Sequence, residues 1–222
     1  RRCSERRGAS ARCGALSAAP HMAKRLFDLL GAALALLLLA PLLLAVALWI
    51  KFDSPGPVFY RQERVGRHGV PFFIHKFRTM RHAAGGLPLT VGQDPRITRA
   101  GAFLRRTRLD ELPQFIDVLL GRMSLVGPRP EVPRYVAHYP PALRERALAV
   151  RPGLTDPASL AYINEAALLA AAADPEREYI EVILPAKVAH AAAYAEGASL
   201  WSDLGVLWRT LLTLTGISRR GA

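Results

Sequence analysis

Cysteine and aromatic residues are both scarce in this chain of 222 residues. Only Cys3 and Cys13 occur, and both lie in the Arg-, Ser- and Ala-rich first 21 residues. A disulfide framework and a cysteine-based zinc site are therefore excluded. Aromatic residues make up 8% of the chain, and few of them stand among basic residues outside residues 58–77. This scarcity disfavours a module that stacks single-stranded nucleic acid on aromatic rings.

Acidic residues are also few, with 18 Asp and Glu against 30 Lys and Arg, which gives a formal net charge of +12. Such a protein prefers anionic partners, namely phosphates, nucleic acid or acidic lipid. Residues 51–108 hold twelve basic and three acidic side chains, and they directly follow an apolar segment. That order suits the cytoplasmic surface of a membrane, where each Lys or Arg contributes roughly 1 kcal/mol of attraction to anionic lipid. A solvated basic face without a specific partner is the alternative.

The length predicts one ordinary domain, or one domain with an appendage. Apolar residues make up 51% of the chain and charged residues 22%, which is neither a disordered nor a fibrous composition. Residues 1–21 are predicted to form an unstructured leader. The first patterned stretch begins at Met22, and our hypothesis is that Met22 is the true start of the protein.

Residues 29–50 carry no charge. As a helix they would extend roughly 33 Å, enough to cross a bilayer core. Pro41 lies in the middle of this run, where it removes a hydrogen bond and favours a kink. Basic residues flank both ends, with Lys24 and Arg25 before the run and Lys51 after it, so the positive-inside rule places both ends on the cytoplasmic side. The residues alone leave a spanning helix and a re-entrant helix equally open.

Residues 58–62 and 71–77 are predicted to be two strands, joined by a hairpin loop over residues 65–69. Lys76 and Arg78 come at the end of the second strand. The histidines in this region share no metal-ligand spacing and are predicted to be turn or surface residues; they are His68, His75 and His82.

The strongest chemical signal lies between residues 99 and 121. Apolar residues recur at helical spacing over residues 112–120, and Pro113 fits only a first turn, so a helix should begin near Asp110 and end at Gly121. Asp110 and Glu111 would then lie at a helix end that stabilises carboxylates and binds phosphate. An ordinary acidic N-cap is the alternative.

Several arginines stand next to this Asp-Glu pair in the sequence. A carboxylate held ionised among arginines can act as a nucleophile on phosphorus or hold Mg²⁺ against a phosphate. Arg129 stands between Pro128 and Pro130, whose rings fix the backbone on either side. Such a stiff loop suits a guanidinium clamp on a diphosphate, although a rigid turn with an incidental arginine is the alternative.

Residues 165–195 are Ala-rich and helical in pattern, with a second helix starting at Asp174 and Pro175. Near the C-terminus, apolar residues again recur at helical spacing. We interpret them as core packing rather than as a helix lying in the membrane plane. They are Trp201, Leu204, Leu207, Trp208, Leu211 and Leu212.

Together these segments resemble the bacterial sugar transferases of the small monotopic phosphoglycosyl transferase type. The resemblance covers residues 24–155, with a weaker match to the end, and is specific because several motifs occur in order and at the family's spacing. The matching segments are residues 24–28, 41, 54–66, 76–80, 109–114, 123–130 and 151–155.

The resemblance implies transfer of a sugar phosphate from a UDP-sugar to undecaprenyl phosphate, with release of UMP. In the family's two-step mechanism, Asp110 would attack the sugar-bearing phosphate, and the lipid phosphate would then attack the aspartyl intermediate. Glu111 matches the second acidic residue, which helps with metal or proton handling, and Mg²⁺ is expected at Asp110. The candidates for substrate or phosphate binding are Arg64, Lys76, Arg78, Arg105 and Arg129.

Lys24 and Arg25 match the family's basic pair at the membrane interface. A re-entrant helix broken at Pro41 is a family trait and favours that topology here. The expected fold is α+β and mostly helical, with a re-entrant membrane helix over residues 22–52 and a cytoplasmic catalytic domain over residues 53–222. This domain would lie on the inner membrane, with a small β-hairpin and amphipathic helices around its active site.

The expected product is a lipid-linked diphospho-sugar that begins exopolysaccharide, O-antigen or glycoprotein glycan assembly. Nucleic acid is not expected as a partner, and the sequence gives neither the sugar nor the oligomeric state. Two departures from many relatives stand out: Ala40 replaces a serine before Pro41, and residues 156–165 follow a different pattern. Two alternatives remain, a non-enzymatic membrane-anchored module that binds acidic lipid or nucleic acid, and a membrane phosphohydrolase.

Overall fold

The computed structural model of the protein describes residues 10–81, 94–162 and 165–215. Its first helix, α1 (Ser10–Asp53), has 44 residues and continues through Pro41. Residues 10–21 are helical, so the prediction of an unstructured leader is wrong for this part, in which four of the twelve residues are the good helix former Ala. Within the described ranges, Met22–Asp53 is the one helical stretch long and apolar enough to cross a membrane, and the mean hydropathy of its apolar 18-residue window is 2.7.

Both ends of the apolar part of α1 contact the rest of the protein. Near its start, the carboxylate of Asp28 accepts hydrogen bonds from the Ser124 hydroxyl at 2.8 Å and the Leu125 amide at 3.1 Å. Near its end, Val46 and Ile50 are buried in a cluster with residues of the following domain. Between these contacts, the helix exposes a row of leucines, namely Leu34, Leu37, Leu38, Leu42, Leu44 and Leu48.

The predicted hairpin is confirmed. Strands β1 (Phe59–Val65) and β2 (Pro71–Phe77) pair antiparallel, with Tyr60 opposite Lys76, and a short 3-10 turn (Arg67–Gly69) joins them. Helix α2 (Arg99–Thr107) then leads into the segment that carries the Asp-Glu pair.

That segment is a 3-10 helix (Leu109–Gln114) followed by a short α-helix, α3 (Phe115–Leu119). The prediction of one α-helix from Asp110 is therefore wrong in its first half, where Pro113 has no N–H for a bond four residues back. Gly121 ends the helix as predicted, with a φ of 79° that favours glycine.

A second, parallel pair of strands was missed from the sequence, because each strand has only three residues. Strand β3 (Ser124–Val126) lies beside β4 (Gly153–Thr155), and the loop after β3 carries Arg129. The remaining helices are α4 (Pro133–Val136), α5 (Pro141–Ala147), α6 (Pro157–Ala161), α7 (Glu165–Ala171), α8 (Pro175–Glu178), α9 (Leu184–Gly197), with a π turn (Tyr179–Ile183) before it, and α10 (Leu200–Leu214).

The main core joins α1, β2, α3, β3, α9 and α10. Its buried members are Ala32, Ile74, Val118, Met123, Leu125, Val126, Tyr194 and Val206. Only one face of α10 packs against this core, and the buried residues of that face are Asp203 and Val206. The core-packing prediction is wrong for one face of α10, whose exposed residues are Trp201, Leu204, Trp208 and Leu211.

The close approach of β3 and β4 gives a first testable prediction. A Cβ added at Gly127 would overlap the carbonyl oxygen of Arg151 and lie 3.1 Å from the amide nitrogen of Gly153. We expect Gly127→Ala to lower the free energy of unfolding by about 1–3 kcal/mol, as overpacking does. It should also lower activity, since Gly127 lies two residues before Arg129.

Thermal unfolding in detergent measures this effect. The matched control is Gly205→Ala in α10, where an added Cβ meets nothing within 4 Å. This control should be neutral or stabilising by up to about 1 kcal/mol, because alanine is the better helix former. Equal stability of the two variants would show that the strand contact is unimportant.

Candidate active site

The carboxylate pair, Asp110 and Glu111, lies at the start of the 3-10 helix. Arg108, in a left-handed conformation with a φ of 61°, reverses the chain between α2 and this helix. Asp110 is buried, with 7% of its surface exposed. The amide of Glu111 donates to the Arg108 carbonyl at 3.3 Å, so it is already used within the turn. Asp110 and Glu111 thus lie in the first turn of a helix, as predicted, and side chains from other elements also surround the pair.

Lys76 is the first of these side chains. It extends from β2, and its Nζ lies 2.8 Å from Oε1 of Glu111 and 3.6 Å from Oδ2 of Asp110. One ammonium group thus contacts both carboxylates. This places Lys76, a predicted phosphate-binding residue, at the carboxylate pair itself.

Arg129 is the second cation of the site. Its Nη1 donates to Oε2 of Glu111 at 3.1 Å, and its Nη2 donates to Oε1 of the same carboxylate. The Arg129 amide donates to the Asp156 carboxylate at 3.3 Å, which holds the loop in place. The two nitrogens predicted to clamp a diphosphate are therefore bound to Glu111 in this state.

The surroundings of Glu111 and Asp110 shift the pKa values of the two carboxylates in opposite directions. Burial alone would raise the pKa of Glu111, but Arg129 and Lys76 outweigh it and hold this pKa well below its usual range. The pKa of Asp110 is raised, chiefly by burial and also by the Glu111 charge, although Lys76 and Arg105 partly oppose the rise. Two cations thus hold Glu111 as a fixed anion, while the ionised form of Asp110 is the less stabilised of the two carboxylates.

The other predicted phosphate-binding arginines take different positions. Arg105 lies close enough to Asp110 to lower its pKa. Arg64 supports the loop, since its Nη1 donates to the Pro130 carbonyl at 2.9 Å and lies 3.7 Å from Glu131. Arg78 is buried and donates to the carbonyls of Ser54 and Pro55 just after α1, so its guanidinium is not available for a phosphate.

The predicted membrane-interface pair is bound to the protein instead of being free. Nζ of Lys24 lies 2.5 Å from the buried Asp203 carboxylate and donates to the Val126 carbonyl at 3.2 Å. Arg25 donates to the carbonyls of Val118 and Leu119 at the end of α3. Both residues therefore fasten the start of α1 to the domain.

One pair near the site was missed from the sequence. His75 donates through its backbone amide to the buried Asp117 at 2.8 Å, and its Nδ1 lies 2.8 Å from the same carboxylate. The prediction that His75 is a turn or surface residue is wrong, while His82 lies outside the described residues. The pair fastens β2 to α3 and so fixes Lys76 next to the carboxylate pair.

Within the described residues, no group of three or more His, Cys, Asp or Glu side chains converges on a possible metal position. Mg²⁺ nevertheless often binds through one or two carboxylates together with substrate phosphates and water. Asp110 fits such a site, because it has no bidentate partner within the described part of the chain. Glu111 fits less well, since Arg129 and Lys76 occupy it.

A small cleft lies beside the loop that carries Arg129. It is lined by Arg129, Glu131, Tyr139, Asp156 and Lys187, among others. Its interior is about 20 Å³, which leaves room for one water-sized group in this state.

The protein thus combines a carboxylate pair contacted by cations with an exposed apolar helix. The comparison with protein families shows where this combination belongs. Residues 19–216 match the model of the bacterial sugar transferases, and the chain belongs to that family.

Individual relatives support this assignment. The exopolysaccharide production protein PSS of Rhizobium leguminosarum bv. phaseoli is 56% identical over 109 residues, which are 48% of this chain and 54% of the relative. The UDP-N-acetylgalactosamine-undecaprenyl-phosphate N-acetylgalactosaminephosphotransferase of Aeromonas hydrophila is 40% identical over 203 residues, 89% of this chain and 45% of the relative. This chain thus spans about half the length of both relatives.

A third relative is covered more completely. The UDP-glucose:undecaprenyl-phosphate glucose-1-phosphate transferase of Caulobacter vibrioides is 40% identical over 200 residues, which are 88% of this chain and 71% of the relative. The names of the two transferases specify the same lipid acceptor and different sugars. Membership of the family therefore leaves the sugar open.

Proposed function

We propose that this protein transfers a sugar phosphate from a UDP-sugar to undecaprenyl phosphate and releases UMP. The observation that carries the proposal is the contrast within the carboxylate pair, in which two cations contact Glu111 closely while Asp110 is buried beside them with a raised pKa. The names of the transferase relatives specify the lipid acceptor and the nucleotide sugars. A relative named for exopolysaccharide production supports a role in starting a surface glycan.

The proposed reaction has two displacements at one phosphorus atom. First, a carboxylate oxygen of Asp110 attacks the sugar-bearing phosphorus, and the bond to the bridging oxygen breaks so that UMP leaves with its electron pair. Second, a phosphate oxygen of undecaprenyl phosphate attacks the same phosphorus and displaces the Asp110 carboxylate. The covalent intermediate lets two bulky anionic substrates use one site in turn.

The surrounding residues hold charge and position. Lys76 contacts both carboxylates, so it can follow negative charge from Asp110 to the incoming phosphate. Arg129 is fixed by Glu111 and retains N–H groups beyond the two that bind this carboxylate. Arg105, near Asp110, is the remaining cation for the diphosphate.

Mg²⁺ is the proposed cofactor, with Asp110 as its protein ligand. It would neutralise charge on the diphosphate oxygens. Substrate oxygens and water would complete its coordination, as is usual for this ion.

The protein is proposed to lie on the cytoplasmic face of the bacterial inner membrane, with α1 entering and leaving on the same side. Contacts of both ends of the apolar stretch with one domain support this topology, because a spanning helix would separate them. The exposed tryptophans of α10 support contact of this helix with the membrane surface.

Site-directed labelling tests this topology. Met22 and Phe52 flank the apolar stretch and are 73% and 87% exposed, so single cysteines there should react freely. In a background without Cys3 and Cys13, we expect Met22→Cys and Phe52→Cys to react with a membrane-impermeant maleimide from the cytoplasmic side only. Labelling of the two positions from opposite sides would contradict the re-entrant topology.

Nucleotide release tests the proposed reaction. Purified protein, Mg²⁺ and undecaprenyl phosphate are incubated with a panel of UDP-sugars that includes UDP-glucose and UDP-N-acetylgalactosamine, and UMP and UDP are measured separately. We expect UMP from one donor, and only when the lipid phosphate is present. UMP release without the lipid would indicate a phosphohydrolase, whereas UDP would indicate ordinary glycosyl transfer. No nucleotide product from any donor would favour a non-enzymatic binding module.

A further inference from the structure

Three arginines that the proposed reaction does not use lie near one another, close to the start of the apolar part of α1. Nη1 of Arg25 donates to the Val118 carbonyl at 2.8 Å. Nε of Arg151 donates to the Gly121 carbonyl at 3.0 Å, and a Cβ at Gly121 would lie 3.3 Å from Nη2 of Arg25. The turn after α3 therefore brings two guanidinium groups together, although they come from opposite parts of the sequence.

Arg67, in the hairpin turn, is the third member. Its Nε donates to the Ala149 carbonyl at 2.9 Å, two residues before Arg151. Burial lowers the pKa of Arg151, the positive charges of Arg25 and Arg67 lower it further, and the more distant Asp28 carboxylate partly opposes this shift. We call Arg25, Arg67 and Arg151 the arginine cluster.

The arginine cluster differs from the cations of the candidate active site in having no carboxylate partner. Arg129 and Lys76 both pair with Glu111, whereas the described part of the chain offers no carboxylate within 4.0 Å of any nitrogen of the cluster. The observed side-chain hydrogen bonds of Arg67 and Arg151 use Nε alone, so the Nη groups of both can serve an external anion.

The surroundings of the cluster indicate where such an anion would come from. Leu26, next to Arg25, is 58% exposed, and Leu120, next to Gly121, is 56% exposed. The exposed apolar stretch of α1 begins at the same place. Exposed leucines beside arginines that have no carboxylate partner match the boundary between acyl chains and headgroups, where arginine binds phosphate through paired N–H groups.

We propose that the arginine cluster binds the phosphate headgroup of an anionic phospholipid. The ligand is a phosphodiester monoanion whose acyl chains lie along the exposed leucines of α1. The cluster shares no residue with the proposed catalytic site, so this site would orient the protein on the membrane rather than take part in phosphate transfer.

The test uses the full chain in detergent and measures bound lipid by native mass spectrometry, with phosphatidylglycerol as the anionic lipid and phosphatidylcholine as the neutral one. The variant is Arg67→Gln/Arg151→Gln. Each removed charge should lower the affinity for phosphatidylglycerol about fivefold, and both together about 25-fold, at roughly 1 kcal/mol per arginine. Binding of phosphatidylcholine should not change.

The matched control is Arg144→Gln/Arg177→Gln, which removes the same charge from exposed positions on α5 and α8. It should bind phosphatidylglycerol as the unaltered protein does; an equal loss in both variants would mean attraction by net charge and overturn the proposal. Thermal unfolding without lipid checks that the cluster variant is folded. If that double variant is unfolded, the single variant Arg67→Gln, at an exposed turn, is used in its place.

Two further outcomes would point to another anion. If inorganic phosphate displaces phosphatidylglycerol at equal concentration, the cluster is a site for soluble phosphate. If the cluster variant binds phosphatidylglycerol normally and instead raises the KM for undecaprenyl phosphate, the cluster belongs to the acceptor path. Because lipid binding is measured directly, the result is independent of whether the protein proves to be a transferase.

Discussion

Asp110→Asn is expected to lower UMP release by about 10³-fold or more, because the amide removes the nucleophile and leaves only binding and electrostatic contributions. The same change should not destabilise the protein. The pKa of Asp110 is raised in the folded state by burial, so its ionised form costs folding free energy at neutral pH. This cost disappears as the pH falls through the raised pKa, and asparagine never incurs it.

Two measurements separate these effects. Single-turnover UMP release measures the chemical step, and thermal unfolding at neutral and mildly acidic pH measures stability. We expect the stability difference in favour of the Asn variant to shrink as the pH falls. The control is Asp94→Asn. Asp94 forms an ion pair with Arg96 and does not belong to the carboxylate pair, so this variant should retain activity. Substantial activity in the Asp110 variant would assign the nucleophile to a different group.

Arg129→Ala is expected to affect both activity and stability. It removes the bidentate partner of Glu111 and leaves a half-buried carboxylate with Lys76 as its remaining cation in the described part of the chain. Breaking a fully buried ion pair from one side typically costs about 3–5 kcal/mol, and we expect a smaller loss because the Arg129 and Glu111 side chains are 29% and 15% exposed. Activity should fall below detection, because the loop loses its cation and Glu111 is no longer fixed.

A second variant separates the effect of losing the Arg129 cation from the effect of leaving the Glu111 carboxylate without this partner. In Arg129→Ala/Glu111→Gln the buried charge is also removed, so much of the stability should return while activity stays absent. Arg129→Lys keeps the charge but not the two parallel hydrogen bonds, and it should lie between the extremes in stability. Equal thermal stability of Arg129→Ala and the unaltered protein would rule out a structural role for the ion pair.

The pH dependence of stability provides a further check on this pair. The pKa of Glu111 is held low in the folded state, so its ion pairs stabilise the protein above the unfolded-state pKa. This stabilisation is lost as the pH falls through the lower folded-state pKa. The Arg129→Ala/Glu111→Gln variant should therefore show a flatter decline of stability in acid.

Several parts of the protein could be predicted from local patterns in the sequence. The antiparallel hairpin, the apolar helix, the helix end at Gly121 and the N-cap at Asp174 all follow from period, turn residues and capping chemistry within a few positions. The Asp-Glu pair and the loop around Arg129 were also found as short motifs.

Contacts between distant residues were decided only by the tertiary structure. Lys76 meets Glu111 because His75 and Asp117, 42 positions apart, fasten β2 to α3. Lys24 pairs with Asp203 across 179 positions, and no local pattern specifies that a basic residue at a membrane helix will be bound to the domain.

The same distinction explains the predictions that were wrong. A basic side chain such as Arg78 looks the same in sequence whether it binds a substrate or caps a helix; the difference is the buried carbonyls that surround it in the fold. Periodicity indicates that one face of α10 is apolar, yet it does not indicate whether that face meets the core. The sequence determines which chemical groups are present. It also determines how neighbouring residues are arranged, because it sets the local backbone geometry. The partner, burial and charge state of each side chain depend on packing between elements that are distant in sequence.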